Sequence, residues 1–147
     1  NKQWVCPMIK SMKHRDLDIN LDYGWESTEY DFPNTFPGHN YPAIYTWVLV
    51  SKSGDKSYYL GETSNLSRRV SYYMRPRSDR TTNHRMKVEM DNSREIKLYL
   101  LKIESFTLNG VELGSEALDD KSTRRGLEGM LIRELRQRKK GHVIHNL

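Results

Sequence analysis

The sequence predicts an α+β fold, a small antiparallel β-sheet flanked by helices. Three observations predict it. An unbroken β-prone run, Ala43 to Val50, is followed by a Gly54-Asp55 turn and a second run, Tyr58-Tyr59-Leu60, the pattern of a hairpin. Two windows, near residues 66–75 and 122–140, place their apolar residues at helical spacing. A further strand run, Glu95 to Glu104, leads into Leu108-Asn109-Gly110-Val111, a type I′ turn signal.

In chain order, Leu17, Ile19, Leu21 and Tyr23 alternate with Asp and Asn, the period of a half-buried strand. Asp31 to Pro42 reads as an irregular connector rich in Pro, Gly and Asn. The first 42 residues hold four of the five prolines and two of the three tryptophans, so residues 1–42 are expected to form an arm packing on a core at 43–147. Asn65 is a good N-cap for a helix that Pro76 stops. A shorter helix is expected near Asn83 to Met90. Ser122 is expected to cap a long last helix running to about Lys140, with Gly141 as its stop and His142 to Leu147 as an extended tail.

Composition narrows the class. With 147 residues, 36% hydrophobic and 29% charged, the chain has the make-up of a soluble globular domain. No apolar run approaches the roughly 20 residues of a membrane span, and no leader pattern is present. The single Cys6 has no internal disulfide partner, which fits a reducing compartment and predicts an intracellular location. Asn1 rather than Met at the start predicts a processed chain or a domain excised from a longer protein. Lys plus Arg exceed Asp plus Glu by 24 to 19, a balance that permits a nucleic-acid partner. The excess is clustered: Arg75, Arg77, Arg80, Arg85 and Lys87 crowd one stretch, and Arg133, Arg136, Arg138, Lys139 and Lys140 another.

Helical geometry singles out two charged residues. With Leu127 as origin and about 100° per residue, Leu131 falls at about 40°, Leu135 at about 80° and Ile132 at about 140°. Glu128 falls at about 100°, inside that apolar arc, where an unpaired carboxylate would cost several kcal/mol. It therefore needs a partner: a metal ion, an N–H cluster, or an Arg such as Arg69 in a structural ion pair. On the first helix, with Leu66 as origin, Arg68 falls at about 200° and faces solvent, whereas Arg69 at about 300° borders the buried stripe. Tyr45 and Tyr59, one hairpin apart, complete the group. Each of these residues taken alone fits an ordinary core or surface role. Their combination is the signal.

The order Ala43-Ile44-Tyr45, Tyr59-Leu60-Gly61, then Glu62 through Arg69 and Val70 resembles the core of a GIY-YIG nuclease over about two thirds of the chain. Two departures stand out: Ala43 replaces the first glycine, and thirteen residues separate Tyr45 from Tyr59. The resemblance implies a metal-dependent DNA endonuclease using one Mg²⁺ or Mn²⁺ held by Glu128. It further implies that Tyr45, with its pKa lowered by nearby positive charge, acts as general base or orients the water. Arg69 grips the phosphate, Tyr59 bonds the phosphate or water, and Asn146 steadies the metal shell or local backbone. Gly61 turns the chain away from the strand, and His84 shuttles a proton or contacts phosphate. Arg75, Arg77, Arg80, Arg85 and Lys87 are then placed to contact double-stranded DNA. The arm would add DNA contacts or a homodimer interface. A restriction or defence role is expected first. The alternatives are a structure-specific repair or mobile-element nuclease, and a nucleic-acid-binding module without catalysis.

Overall fold

The computed structural model describes residues 3–14, 17–77 and 81–146. Among them, seven strands form one sheet: β1 (Gln3–His14), β2 (Leu17–Ser27), β3 (Ala43–Ser51), β4 (Lys56–Thr63), β5 (Ser93–Leu108), β6 (Val111–Leu113) and β7 (Val143–Ile144). The helices are α1 (Leu66–Met74), α2 (Thr81–Asp91) and α3 (Lys121–Arg138), with a 3-10 turn at Ser115–Asp119. The spatial order is β1-β2-β5-β3-β4-β7, with β6 paired to β5. The class is α+β, as the sequence predicts, and no helix among the described residues is long and apolar enough to cross a membrane.

β3 is the central strand because its residues Ala43 to Val50 are all buried, so both faces need cover. Tyr45, Trp47 and Leu49 pack on one face under Leu66, Val70 and Tyr73 of α1 and Met86 and Met90 of α2. Ile44 and Val48 pack on the other, with Tyr58 and Leu60 of β4, under Leu127, Met130, Leu131 and Leu135 of α3. The alternation read along β2 holds at Ile19, Leu21 and Tyr23, which are buried in that second core, and Trp25 extends it. The arm is woven into the sheet, β2 pairing with β5 from Ile19↔Leu108 to Ser27↔Tyr99. That partner also explains why β5 runs longer than the Glu95 to Glu104 read from pattern.

Local signals resolve as follows. Asn65 caps α1, its side chain accepting from the Arg68 N–H, and α1 ends at Met74, just before Pro76. Gly54 (φ 95°) turns the β3–β4 hairpin, and Asn109 and Gly110 both take positive φ (50° and 79°), as a type I′ turn requires. The α3 cap is Asp120 rather than Ser122, its carboxylate accepting from the Thr123 N–H at 2.9 Å. A carboxylate at this end also complements the helix dipole.

The sheet is mixed rather than antiparallel. Gly141 (φ 86°) reverses the chain after α3, and the returning tail runs parallel to β4, pairing Ser57↔Val143 and Tyr58↔Ile144. The expected tail is thus a short strand, pinned by His145 N–H to Tyr58 O (2.7 Å), His145 Nε2 to Ser57 Oγ (2.9 Å), and guanidinium bonds from Arg85 to His145 O and Arg136 to Asn146 O.

Candidate active site

In the β3–β4 pairing, Tyr45 lies opposite Gly61 and Trp47 opposite Tyr59. Cross-strand partners share a face, so both tyrosines point toward α1. Gly61 does not turn the chain away, since β4 continues to Thr63. Its role is to leave room: a Cβ there would come 2.5 Å from the Tyr45 hydroxyl and 2.6 Å from Cζ. The phenol of Tyr45 lies across a gap that only glycine provides, the aromatic cover of a strand glycine.

Three phenols then converge. The Tyr45 hydroxyl bonds the Tyr73 hydroxyl at 2.8 Å, and Tyr73 also hydrogen-bonds Tyr59. The Tyr45–Tyr73 and Tyr59–Tyr73 rings meet edge to face, with centroids 6.2 and 6.3 Å apart. Arg69, one turn before Tyr73 on α1, reaches the same cluster and hydrogen-bonds Tyr45. Arg68 is exposed, and its guanidinium bonds Ser64 Oγ at 3.4 Å rather than the phenol cluster. The helical-face distinction between the two arginines therefore holds.

The edge of the sheet supplies the acid. β7 reaches only Tyr58, so the outer backbone groups of β4 beyond it need other partners. Asn146 satisfies Leu60, its Oδ1 accepting from Leu60 N (3.0 Å) and its Nδ2 donating to Leu60 O (2.7 Å). By strand alternation the next outward N–H belongs to Glu62, and the Glu128 carboxylate accepts it. Glu128 thus sits at the open edge of β4, within electrostatic reach of Tyr59, Arg69 and Glu62. The partner that the half-buried carboxylate needs is, in part, a backbone N–H.

Charge states follow from this packing. Burial pushes Tyr45 above the ordinary tyrosine value and outweighs the lowering by Arg69, so the expected cationic depression is reversed. Burial, then the nearby Glu128 charge, raises Tyr59, and burial raises Tyr73. All three phenols are neutral near pH 7. Glu128 is raised first by burial and then by Glu62, against lowering by the Glu62 N–H, Arg125 and Arg69. Burial works against the Arg69 charge, but the phenols around it, a hydrogen bond to Tyr45 and the Glu62 carboxylate outweigh that and hold its pKa above the ordinary value. The cluster therefore offers the Arg69 cation, neutral hydroxyls, and two carboxylates close enough to repel.

No family model, curated protein or solved structure matches the chain.

Of the residues singled out from sequence, Tyr45, Tyr59, Arg69 and Glu128 meet here, from β3, β4, α1 and α3. Asn146 clamps the backbone of Leu60, the neighbour of Tyr59, and both ends of its amide are used there. His84 is exposed on α2, and none of the leading electrostatic contacts of the four runs to it. Arg85 is half-buried, bonded to His145 O at 2.9 Å and within electrostatic range of Tyr59. Lys87 is held by Asp91 at 2.6 and 2.7 Å, one turn on, so its charge is already matched. Arg75 and Arg77 are exposed beside the end of α1. Arg80 lies outside the described residues.

Three participants were missed. Tyr73 carried a signal, since its place in the buried stripe one turn after Arg69 puts both on one face. Arg124 falls at about 60° in the α3 arc used to find Glu128. It is buried at 4% exposure, its Nε on Glu62 at 3.2 Å and its Nη1 on Leu118 O and Asp119 O. Glu62 left no sequence trace of its own, because its partners come from a helix 62 residues on.

Proposed function

We propose that the chain is a metal-dependent DNA endonuclease with a GIY-YIG-like site. The observation that carries the reading is the meeting of Tyr45, Tyr59, Arg69 and Glu128 at one sheet edge, from four separate elements in the order the resemblance requires. Phosphodiester hydrolysis needs a held phosphate, a positioned water and relief of growing negative charge. Arg69 supplies a cation for the phosphate, with Tyr45, itself bonded to Tyr73, holding its head. Tyr59, the least buried of the three phenols, offers its hydroxyl to the phosphate or the water. Neither Tyr45 nor Tyr59 acts as a base in its resting state, because burial keeps both protonated. Tyr45 is a positioning residue for Arg69.

The donor set fits Mg²⁺ or Mn²⁺. These ions are held by one or two carboxylates with water completing the shell, and the repulsion between Glu62 and Glu128 favours a cation beside them. Glu128 would hold the ion, since Glu62 is engaged by Arg124 at 3.2 Å and faces Arg125 at 4.0 Å. Bound there, the ion would offset charge on the leaving oxygen. Asn146 supports the edge as a backbone clamp, and Arg75 and Arg77 are free to meet DNA phosphates.

Incubating plasmid DNA with the protein and Mg²⁺ or Mn²⁺ tests the reading. Metal-dependent cleavage that Glu128→Ala abolishes while DNA binding persists is the expected result. Discrete fragments indicate a restriction role, and cutting confined to branched or flapped DNA a repair role. Binding without cutting across several metals and DNA forms would leave only a nucleic-acid-binding module.

A further inference from the structure

Beside the site the connector between β2 and β3 builds a ladder of rings. Phe36 packs against His39 with centroids 3.9 Å apart and the rings tilted by 39°, and His39 stacks on Tyr41 at 5.6 Å and 30°. The ladder ends in the open: Tyr41 is 42% exposed, among the few large apolar side chains left in solvent. It borders a 520 Å³ groove that His39, Leu100, Thr28, Glu26 and Lys102 also line, within the roughly 300–1,000 Å³ of small-ligand sites. Burial lowers the His39 pKa and keeps its ring neutral at neutral pH, and its Nδ1 has no hydrogen-bond partner among the described residues. A flat ring on a rigid aromatic platform, with the Lys102–Glu26 ion pair (3.7 Å) at the rim, suits a planar heteroaromatic ligand.

Two facts tie this platform to the phosphate-gripping residue. The ladder's backbone is bolted to the first turn of α1: Leu66 N–H donates to Tyr41 O (3.1 Å), Ser67 N–H to His39 O (3.0 Å), and His39 N–H to Ser67 Oγ (3.0 Å). The Ser67 hydroxyl in turn bonds Phe36 O. Arg69 lies two residues further along the same helix. Tyr41 also stands four residues before Tyr45, at most about 14 Å by chain reach. Ring platform and Arg69 therefore form one rigid unit on the scale of a few nucleotides.

We infer that the Tyr41 ring and its groove form a stacking subsite for one unpaired nucleobase of the DNA, a few nucleotides from the phosphate held by Arg69. The inference deepens the nuclease reading and takes its substrate class from it. Stacking of a base on an aromatic side chain is sequence-tolerant and changes affinity about 5- to 150-fold.

The test uses short duplexes that carry a single bulged thymidine, each paired with a duplex bearing an abasic spacer in the bulge. Binding is read by fluorescence anisotropy in EDTA, so no cutting intervenes. The wild-type protein is expected to prefer the base-bearing bulge by about 5- to 150-fold. Tyr41→Ala, at an exposed position, should lose that preference, and Tyr41→Trp should retain it. Equal wild-type affinity for the two bulges, or a preference that survives Tyr41→Ala, overturns the inference. The two readings fail separately: plasmid cleavage with no Tyr41-dependent preference sinks only the stacking site. A Tyr41-dependent preference in a protein that cuts nothing sinks only the nuclease.

Discussion

Replacing Gly61 with alanine adds one methyl group where the structure has no room for it. The new Cβ would stand 2.5 Å from the Tyr45 hydroxyl, 2.6 Å from Cζ and 3.1 Å from Cε1. Tyr45 cannot swing aside, because it is 1% exposed and its hydroxyl is bonded to Tyr73. Overpacking of this kind costs about 1–3 kcal/mol. Displacing the phenol also breaks its hydrogen bond to Tyr73, about 0.5–1.5 kcal/mol more. The sum, roughly 2–4 kcal/mol, corresponds to a fall in melting temperature of roughly 4–16 °C for a chain of this size. Gly126 on α3 is the control, since a Cβ there meets nothing within 4 Å. Gly126→Ala should be neutral or stabilising by up to about 1 kcal/mol. Thermal unfolding followed by circular dichroism measures both. The clash also predicts coupling: in a Tyr45→Leu background, Gly61→Ala should lose most of its effect. A Gly61→Ala protein that melts with the wild type, or one equally destabilised in the Tyr45→Leu background, would refute the reasoning.

Other outcomes follow from the same geometry. Asn146→Ala leaves the Leu60 N–H and C=O without their amide partner and should lower stability by about 1–3 kcal/mol in urea unfolding; an unchanged midpoint would show that the clamp is dispensable. Arg124→Ala leaves the Glu62 carboxylate to the exposed Arg125 at 4.0 Å and should cost about 1.5–3 kcal/mol, with Arg124→Met/Glu62→Gln recovering part of it; a double variant worse than the single one would count against a charge-pair origin. In plasmid cleavage, Arg69→Ala should lose about 10²- to 10³-fold in rate and Arg68→Ala far less, and equal losses would contradict the helical-face distinction. Stability should also depend on pH through His145, whose folded pKa burial holds below its ordinary 6.5. The folded state binds fewer protons there than the unfolded chain. The stability is therefore present above about pH 6.5 and lost as pH falls toward the folded value. His145→Gln should flatten the urea midpoint between about pH 7.5 and 5, and an unaltered slope would remove His145 as a source.

Much of this molecule is local and therefore legible in the chain. Asn65 and Pro76 bound α1, Gly54 and Asn109-Gly110 make their turns, and the period-2 and period-3.6 patterns place Ile19 to Tyr23 and the α1 stripe, because each depends on neighbours within a few residues. Helical spacing alone separated Arg69 from Arg68 and flagged Glu128 as an acid in need of a partner. What that partner is depends on a strand edge more than 60 residues away, left open because β7 stops at Ile144. The direction of the Tyr45 pKa was likewise beyond the sequence, since it depends on whether burial or Arg69 prevails, and burial is a property of the packed core. Lys87 pairs with Asp91 one turn on, an i,i+4 spacing that the chain itself carries. The sequence by itself determined the β3–β4 hairpin, α1, the last helix and the order of the candidate side chains, but not β1, the parallel β7 or the roles of Tyr73, Arg124 and Glu62. Only the tertiary structure decided which of them meet, because desolvation and charge pairing act through space and leave no periodic mark along the chain.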